Sequence, residues 1–304
     1  GGAGYAVRLL RRSPGFAITA VLTLAIAIGA NAAVFSLVDA VLLRPLPYPA
    51  PHQLANTEQR VQGPGGIDIS SAIDGAMWEA MTRSVRSAGI AVYSDWRSGA
   101  NLAARGQALH VDQQRVSAGY FQVLGVPPAA GREFTQEEDR DGGPGAVILS
   151  HGLWQRAFGG DRSVLNSQVL VRGEPHTVVG IMPASFRGSL TVDIWTPVRA
   201  GRGGQGGGTN FAALVRVPDG VSWDRVGAEL QAAFASLGVK LPDGVAVTWG
   251  LAPLQRNLTA DSRDTLLAMW GAVALVLLIA CVNLAGLLIA RARTRAREIA
   301  TRMA

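Results

Sequence analysis

Two apolar runs constrain this chain more than anything else in it. Phe16 to Val38 carries no charge and one amide, Asn31; Leu266 to Ala290, also uncharged, carries one amide, Asn283. A bilayer core takes roughly 20 apolar helical residues, whereas the apolar part of a secretory leader holds about 7–15. Ala30-Asn31-Ala32 has the small-residue character of a leader cleavage site, but a cleavable leader leaves the second run unexplained. The pattern predicts two retained membrane-spanning helices, 16–43 and 265–290, around a soluble domain, 44–264.

Charge gives the orientation. Arg8, Arg11 and Arg12 precede the first run, and Arg291, Arg293, Arg295, Arg297 and Arg302 follow the second, so the positive-inside rule puts both ends in the cytoplasm. The chain has 28 basic and 22 acidic residues; eight of the former and two of the latter lie outside 44–264, so the net +6 is juxtamembrane and the large domain is neutral. Phosphate binding wants a basic face on the folded domain, so nucleic acid is disfavoured and lipid headgroups take its place.

Local chemistry refines the ends. Ser13 suits an N-cap and Pro14 the first helical position, where its missing N–H costs nothing. In residues 1–15, Arg8, Arg11 and Arg12 share a helical face, with Tyr5, Leu9 and Leu10 on another; this fits a short cytoplasmic helix in the headgroup layer, or equally a frayed basic tail. Ala25, Gly29 and Ala33 recur every four residues and predict close approach of another helix, although small residues are common throughout this chain. Asn31 and Asn283 should each face protein, since an unsatisfied amide in hydrocarbon is costly. A rise of ~1.5 Å per residue puts Asn31 about 22 Å and Asn283 about 12 Å from the cytoplasmic ends, so they should not meet.

The intervening domain reads as mixed α and β. "SSAIDGAMWEAMTRS" has the pattern of a capped amphipathic helix, "SAGIAVYSDW" and "HVDQQRVS" of strands, and "AVILSHGLWQRAFGG" of strand then helix. "SQVLVRGEPHTVVGIM" alternates as a hairpin should, and "NFAALVRV", "SWDRVGAELQAAFASLG" and "GVAVTWGLAPL" give strand, helix, strand. "AGRGGQGGGTN" (200–210) has a linker's composition. A βαβ-like unit at each end thus brackets a hairpin-bearing middle.

Catalytic patterns are absent from the sequence. The single lysine, Lys240, is not in a Walker A loop. Ser150 lacks the flanking glycines of a nucleophile elbow and is expected to cap a helix. His52, His110, His151 and His176 have no metal-ligand spacing, and the one cysteine, Cys281, lies in the second apolar run. The acidic run "REFTQEEDRDGG" (132–143) lacks the residue order of a calcium loop and is expected to be a solvated loop. No cofactor is expected.

The stretch "RLLRRSPGFAITAVLTLAIAIGANAAVFSLVDAVLLRPLPYP" resembles the first span of MacB/FtsX-type ABC-transporter permeases, specifically the acidobacterial type. "VSAGYFQVLGVPPAAGREFTQEED", "VILSHGLWQRAFGGD" and "VVGIMPASFRG" are similar to that family's periplasmic core domain, and "LLIACVNLAGLLIARARTRAREIATRMA" to the start of its FtsX-like domain. The resemblance implies an α+β periplasmic domain with a porter-like part, split in sequence, and an inserted part at about 130–200. It implies a bacterial inner-membrane protein that is not an enzyme, partnered by a cytoplasmic ATPase, membrane lipid, a second copy or duplicated half, and a periplasmic protein. Members have at least four spans, so the sequence resembles a C-terminally truncated fragment, with 291–304 the start of the FtsX-like domain. The basic ends would touch headgroups or the ATPase, and the second helix would relay ATPase motion to the ectodomain, for export or, alternatively, to switch a periplasmic partner. A membrane-tethered enzyme is the third class and lacks a convergent catalytic pattern.

Overall fold

A computed structural model describes residues 14–40, 45–201, 208 and 211–303, in two compact units: the terminal segments, and Pro45–Leu258. The first apolar run is helix α1 (Pro14–Val38).

The βαβ-like ends of the domain between the apolar helices form one sheet. From the N-terminal side come β1 (Leu54–Gly63), β2 (Gly66–Ser70), β3 (Ala72–Ile73), α2 (Gly75–Ser84) and β4 (Gly89–Tyr93). An excursion then supplies β5 (Ser98–Ala104), β6 (Gln107–Val116), α3 (Tyr120–Leu124), β7 (Ala130–Gly131), β8 (Ala146–Leu149), α4 (His151–Phe158), β9 (Gln168–Val171), β10 (Glu174–Ile181) and β11 (Ile194–Pro197). The chain returns with β12 (Phe211–Arg216), α5 (Trp223–Ser236) and β13 (Ala246–Pro253), and β13 is followed directly by α6 (Leu254–Met303), a helix of 50 residues.

Strands β4, β12, β1 and β13 lie side by side in that order, all antiparallel. With α2 and α5 this is the split β-α-β-β-α-β arrangement, interrupted between its second and third strands. Each helix has a side-chain cap: Asp74 accepts from the Met77 amide at 2.8 Å, and Ser222 from the Arg225 amide at 3.2 Å. Met77, Ala80 and Met81 make the buried stripe of α2, and Val226, Leu230 and Ala233 that of α5. Strand alternation supplies the facing layer, including Ala55, Val92, Ala213 and Val215, while Leu54, Ala91, Tyr93 and Leu214 point to the opposite face and a second core.

The excursion closes on itself. Strands follow the order β11, β8, β10, β9, β5, β6, and β6 pairs back onto β11 in parallel from Ile194↔Gln113 to Pro197↔Val116, completing a six-stranded ring with no free edge. Its interior is Leu102, Val111, Val147, Leu149, Val169, Val171, Val178 and Ile194, with Leu153 and Phe158 of α4. Both hairpins turn on Arg-Gly: Arg105-Gly106 have φ of 51° and 77°, Arg172-Gly173 of 55° and 86°. Two left-handed residues in succession match the right-handed twist of the flanking strands.

The helices and strands expected in the ectodomain appear, but β5 does not stand out in the sequence, and the inserted part starts near 98 rather than 130. "SGANLAA" is poor in β-branched and aromatic residues; pairing on both sides, with β6 and β9, makes it a strand. The glycine-rich stretch falls mostly outside the described residues.

Candidate functional site

Three arrangements have functional bearing: the apolar helices, the segment that enters the Pro45–Leu258 domain, and the joint between sheet and ring.

In α1 the less exposed positions are Leu24, Ala27, Ala30, Asn31, Val34 and Val38; in α6, beyond Thr259, they are Leu266, Val273, Leu277, Ala280 and Leu284. Steps of three and four (or seven) residues give each helix a single seam of the coiled-coil type. Asn31 sits in that seam and donates through Nδ2 to the Val273 carbonyl of α6 at 3.3 Å and to Ala27 O at 3.2 Å. Ala25, Gly29 and Ala33 are exposed and lie away from the seam. Asn283 is exposed as well, so within this chain it does not face protein; it stands about 100° around the helix from Leu284 of the seam. Asn31→Leu is expected to cost about 1 kcal/mol of helix-pair stability, measurable as a shift in the denaturant midpoint of the micelle-solubilised chain. Arg8, Arg11 and Arg12 lie outside the described residues. Arg291, Arg293, Arg295, Arg297 and Arg302 fall on the backbone of α6, with side chains outside them.

The entering segment is held tightly. Arg216 of β12 donates through Nη1 to Pro49 O and to Gln53 Oε1, both at 3.1 Å, and through Nε to Val123 O. Tyr48 is buried and its hydroxyl donates to Arg187 O at 2.7 Å. Ala50 takes φ 47°, and its carbonyl accepts from the Gln53 amide in a single turn of 3-10 helix. Burial, helped by the neighbouring Tyr93, pushes the Tyr48 phenol up to about 12, so this donor stays protonated throughout the neutral range.

Aromatic rings fill the joint. Phe121 is fully buried and makes edge contacts with Tyr120, Phe186 and Trp195 at centroid distances of 5.3, 5.6 and 5.6 Å, and Tyr93 lies 5.6 Å from Tyr120. Their polar atoms are matched: Asn56 Nδ2 donates to the Tyr93 hydroxyl at 2.9 Å, and Trp195 Nε1 to Gln114 Oε1 at 3.3 Å. The acidic run expected to be a solvated loop instead ties this joint together. Asp139 accepts from the Ala118 amide at 2.9 Å and the Arg199 amide at 2.8 Å, Glu133 from the Phe121 and Gln122 amides, and buried Glu138 from Arg132 and the Thr135 amide. Composition made the run look solvated; its carboxylates are instead spent on backbone donors that the turns after β6 and β11 leave unpaired. Burial pushes the Asp139 and Glu133 carboxyls up. Burial would raise Glu138 too, but the Arg132 guanidinium and the Thr135 amide outweigh it and hold that carboxyl below its usual range.

Beside the joint, Ser150, His151, Arg156, Phe186, Arg187, Asp193 and Trp195 line a cleft of about 300 Å³. Ser150 Oγ accepts from the Leu153 amide at 3.1 Å, so it caps α4, and His151 lies edge-on to Trp154 at 5.5 Å. Arg156 pairs with Asp193, which also accepts from the Asp112 amide. These polar groups are engaged in holding structure, and the cleft does not assemble a nucleophile with its base.

The model of the family described as MacB-like periplasmic core domain matches residues 17–233. A probable syringafactin export ATP-binding/permease protein, SyfD, of Pseudomonas syringae pv. tomato is 27% identical over 213 residues, 68% of this chain and 31% of that protein. A probable export ATP-binding/permease protein MacB of Pseudomonas entomophila is 25% identical over 194 residues, 62% of this chain and 28% of that protein. The chain therefore spans about a third of the length of these relatives. A crystal structure of a domain of a putative permease from Porphyromonas gingivalis superposes with a TM-score of 0.52 at 17% identity, covering 69% of this chain and 92% of that one. It supports the fold.

Proposed function

Because the chain belongs to the MacB-like periplasmic core domain family, we propose that it forms the permease part of a MacB/FtsX-type ABC transporter in a bacterial inner membrane. What supports this reading is that the family match over 17–233 takes in one helix long and apolar enough to span and is followed by a second. Both chain ends lie in the cytoplasm, where the arginine clusters meet headgroups and an ATPase, whether fused to the chain or separate. A second copy or duplicated half completes the membrane part, with the exposed Ala25, Gly29 and Ala33 stripe and Asn283 turned towards it, and a periplasmic protein receives the output.

ATP-driven motion reaches the ectodomain through α6, which at ~1.5 Å per residue extends about 75 Å, and through the entering segment clamped by Arg216 and Tyr48. Export of a compound from the cell is the consequence. Comparing compounds in the medium of knockout and complemented cells tests it: a compound lost on knockout supports export. An unchanged medium, with ATP-dependent ectodomain motion retained, would assign the chain to switching a periplasmic partner instead. A covalent crosslink from the ectodomain to the second span is expected to abolish export, and undiminished export would refute the relay. Arg216→Ala combined with Tyr48→Phe is expected to leave expression intact and lower export several-fold, because motion is then lost in a loosened entry segment.

A further inference from the structure

Strand β13 stands at the end of the sheet, and among the described residues it pairs with β1 alone, from Ala55↔Pro253 to Gln62↔Ala246. Its outer edge should present unpaired amides and carbonyls at Val247, Trp249, Leu251 and Pro253, since alternate residues of an edge strand point away from the sheet. Two of these positions are already met, by one side chain. Gln231 of α5 accepts from the Trp249 amide through Oε1 at 2.9 Å and donates through Nε2 to the Val247 carbonyl at 3.3 Å. One carboxamide thus makes the donor and acceptor contacts that a neighbouring strand would make. Pro253 has no N–H to offer, so only Leu251 keeps both outward groups.

Helix α5 lies close beside this edge, where a Cβ added at Gly227 would stand 3.7 Å from Trp249 O. A groove of about 500 Å³ runs along this edge, walled on the helix side by Trp223, Gly227 and Ala228. We propose that Gln231 is an edge guard, a side chain that takes the place of a strand on β13 and so prevents copies of the ectodomain from pairing edge to edge. The hazard rests on the membrane tethering read above: domains confined to one surface meet at high effective concentration.

The test uses the full chain in lipid vesicles, with Cys281 replaced by serine and a reporter cysteine at exposed Thr248. In the Gln231→Ala variant, hydrogen exchange at the Trp249 amide should be about tenfold faster, as loss of one hydrogen bond allows, and a short bismaleimide should join copies through position 248 at several times the parent level. Adding Gly250→Lys, a site with open space around a Cβ, should return crosslinking to the parent level, because a charge on the edge opposes pairing. Exchange in β4 and β12 reports whether the fold survives. Unchanged exchange at Trp249, or faster exchange with no gain in crosslinking while β4 and β12 stay protected, would overturn the guard. Neither readout depends on export, so failure of the transporter reading is distinguishable from failure of this one.

Discussion

Phe121→Ala is expected to lower the melting temperature of the Pro45–Leu258 domain by roughly 10 °C. The ring is fully buried and touches three other aromatic residues, which belong to α3, the loop before β11 and β11 itself. Truncating a buried phenylalanine costs about 3–5 kcal/mol, part of it lost transfer energy and part the cavity left behind. In a domain of this size each kcal/mol moves the midpoint by about 2–4 °C. Differential scanning calorimetry of the full chain in detergent would measure it, with Phe121→Leu recovering most of the loss because it refills most of the volume. A drop of only a degree or two would mean that the aromatic cluster collapses around the gap and that the two lobes are held by something else.

Asp139→Ala should cost about as much for a different reason. It leaves the Ala118 and Arg199 amides without their acceptor, and an orphaned buried donor costs about 1–3 kcal/mol. Asp139→Asn is the sharper probe, since it keeps an oxygen but sets an NH2 group against one of two donors. Its pH dependence has a definite sign. Burial raises the native carboxyl above its unfolded value, so between the two values the native state binds more protons and stability falls as pH rises. The stability advantage of the parent over Asp139→Asn should therefore be largest below about pH 4, the ordinary carboxyl range, and shrink as pH climbs through the raised native value. Denaturant midpoints of both chains across that range would check it, and an advantage that grew with pH would reverse the assignment.

How much of this was legible beforehand depended on whether a signal was local. The apolar runs, the cap at Ser150 and the helix over "SWDRVGAELQAAFASLG" rest on spacing and short-range chemistry, and all appear in the fold. Closure of the ring depends on pairings between residues some 80 apart, such as Ile194 with Gln113, and β5 is held on its other side by β9, Leu102 opposite Val171; no local pattern announces these partners. The acidic run was misread for the same cause: its carboxylates answer amides at 118, 121 and 199, and only the folded chain brings these together. Small-residue spacing suggested Ala25, Gly29 and Ala33 as the helix contact, whereas the seam with α6 runs through Ala27, Asn31 and Val34. A 3-4 alternation of apolar residues around Asn31 was there to be read, but in an all-apolar run it does not stand out from its neighbours.

The closed ring carries one more consequence. The outgoing strand hands over through the Ser94 amide to Arg115 O, and the returning one through the Val198 amide to Val116 O. The same two residues end β6, after which the chain crosses back through Ser117, whose amide reaches Val92 O. Three of the chain's passages between sheet and ring are thus gathered at one knuckle. A subdomain hung that way has a fulcrum, and a slight tilt at the knuckle sweeps the far rim of the ring through a much longer arc.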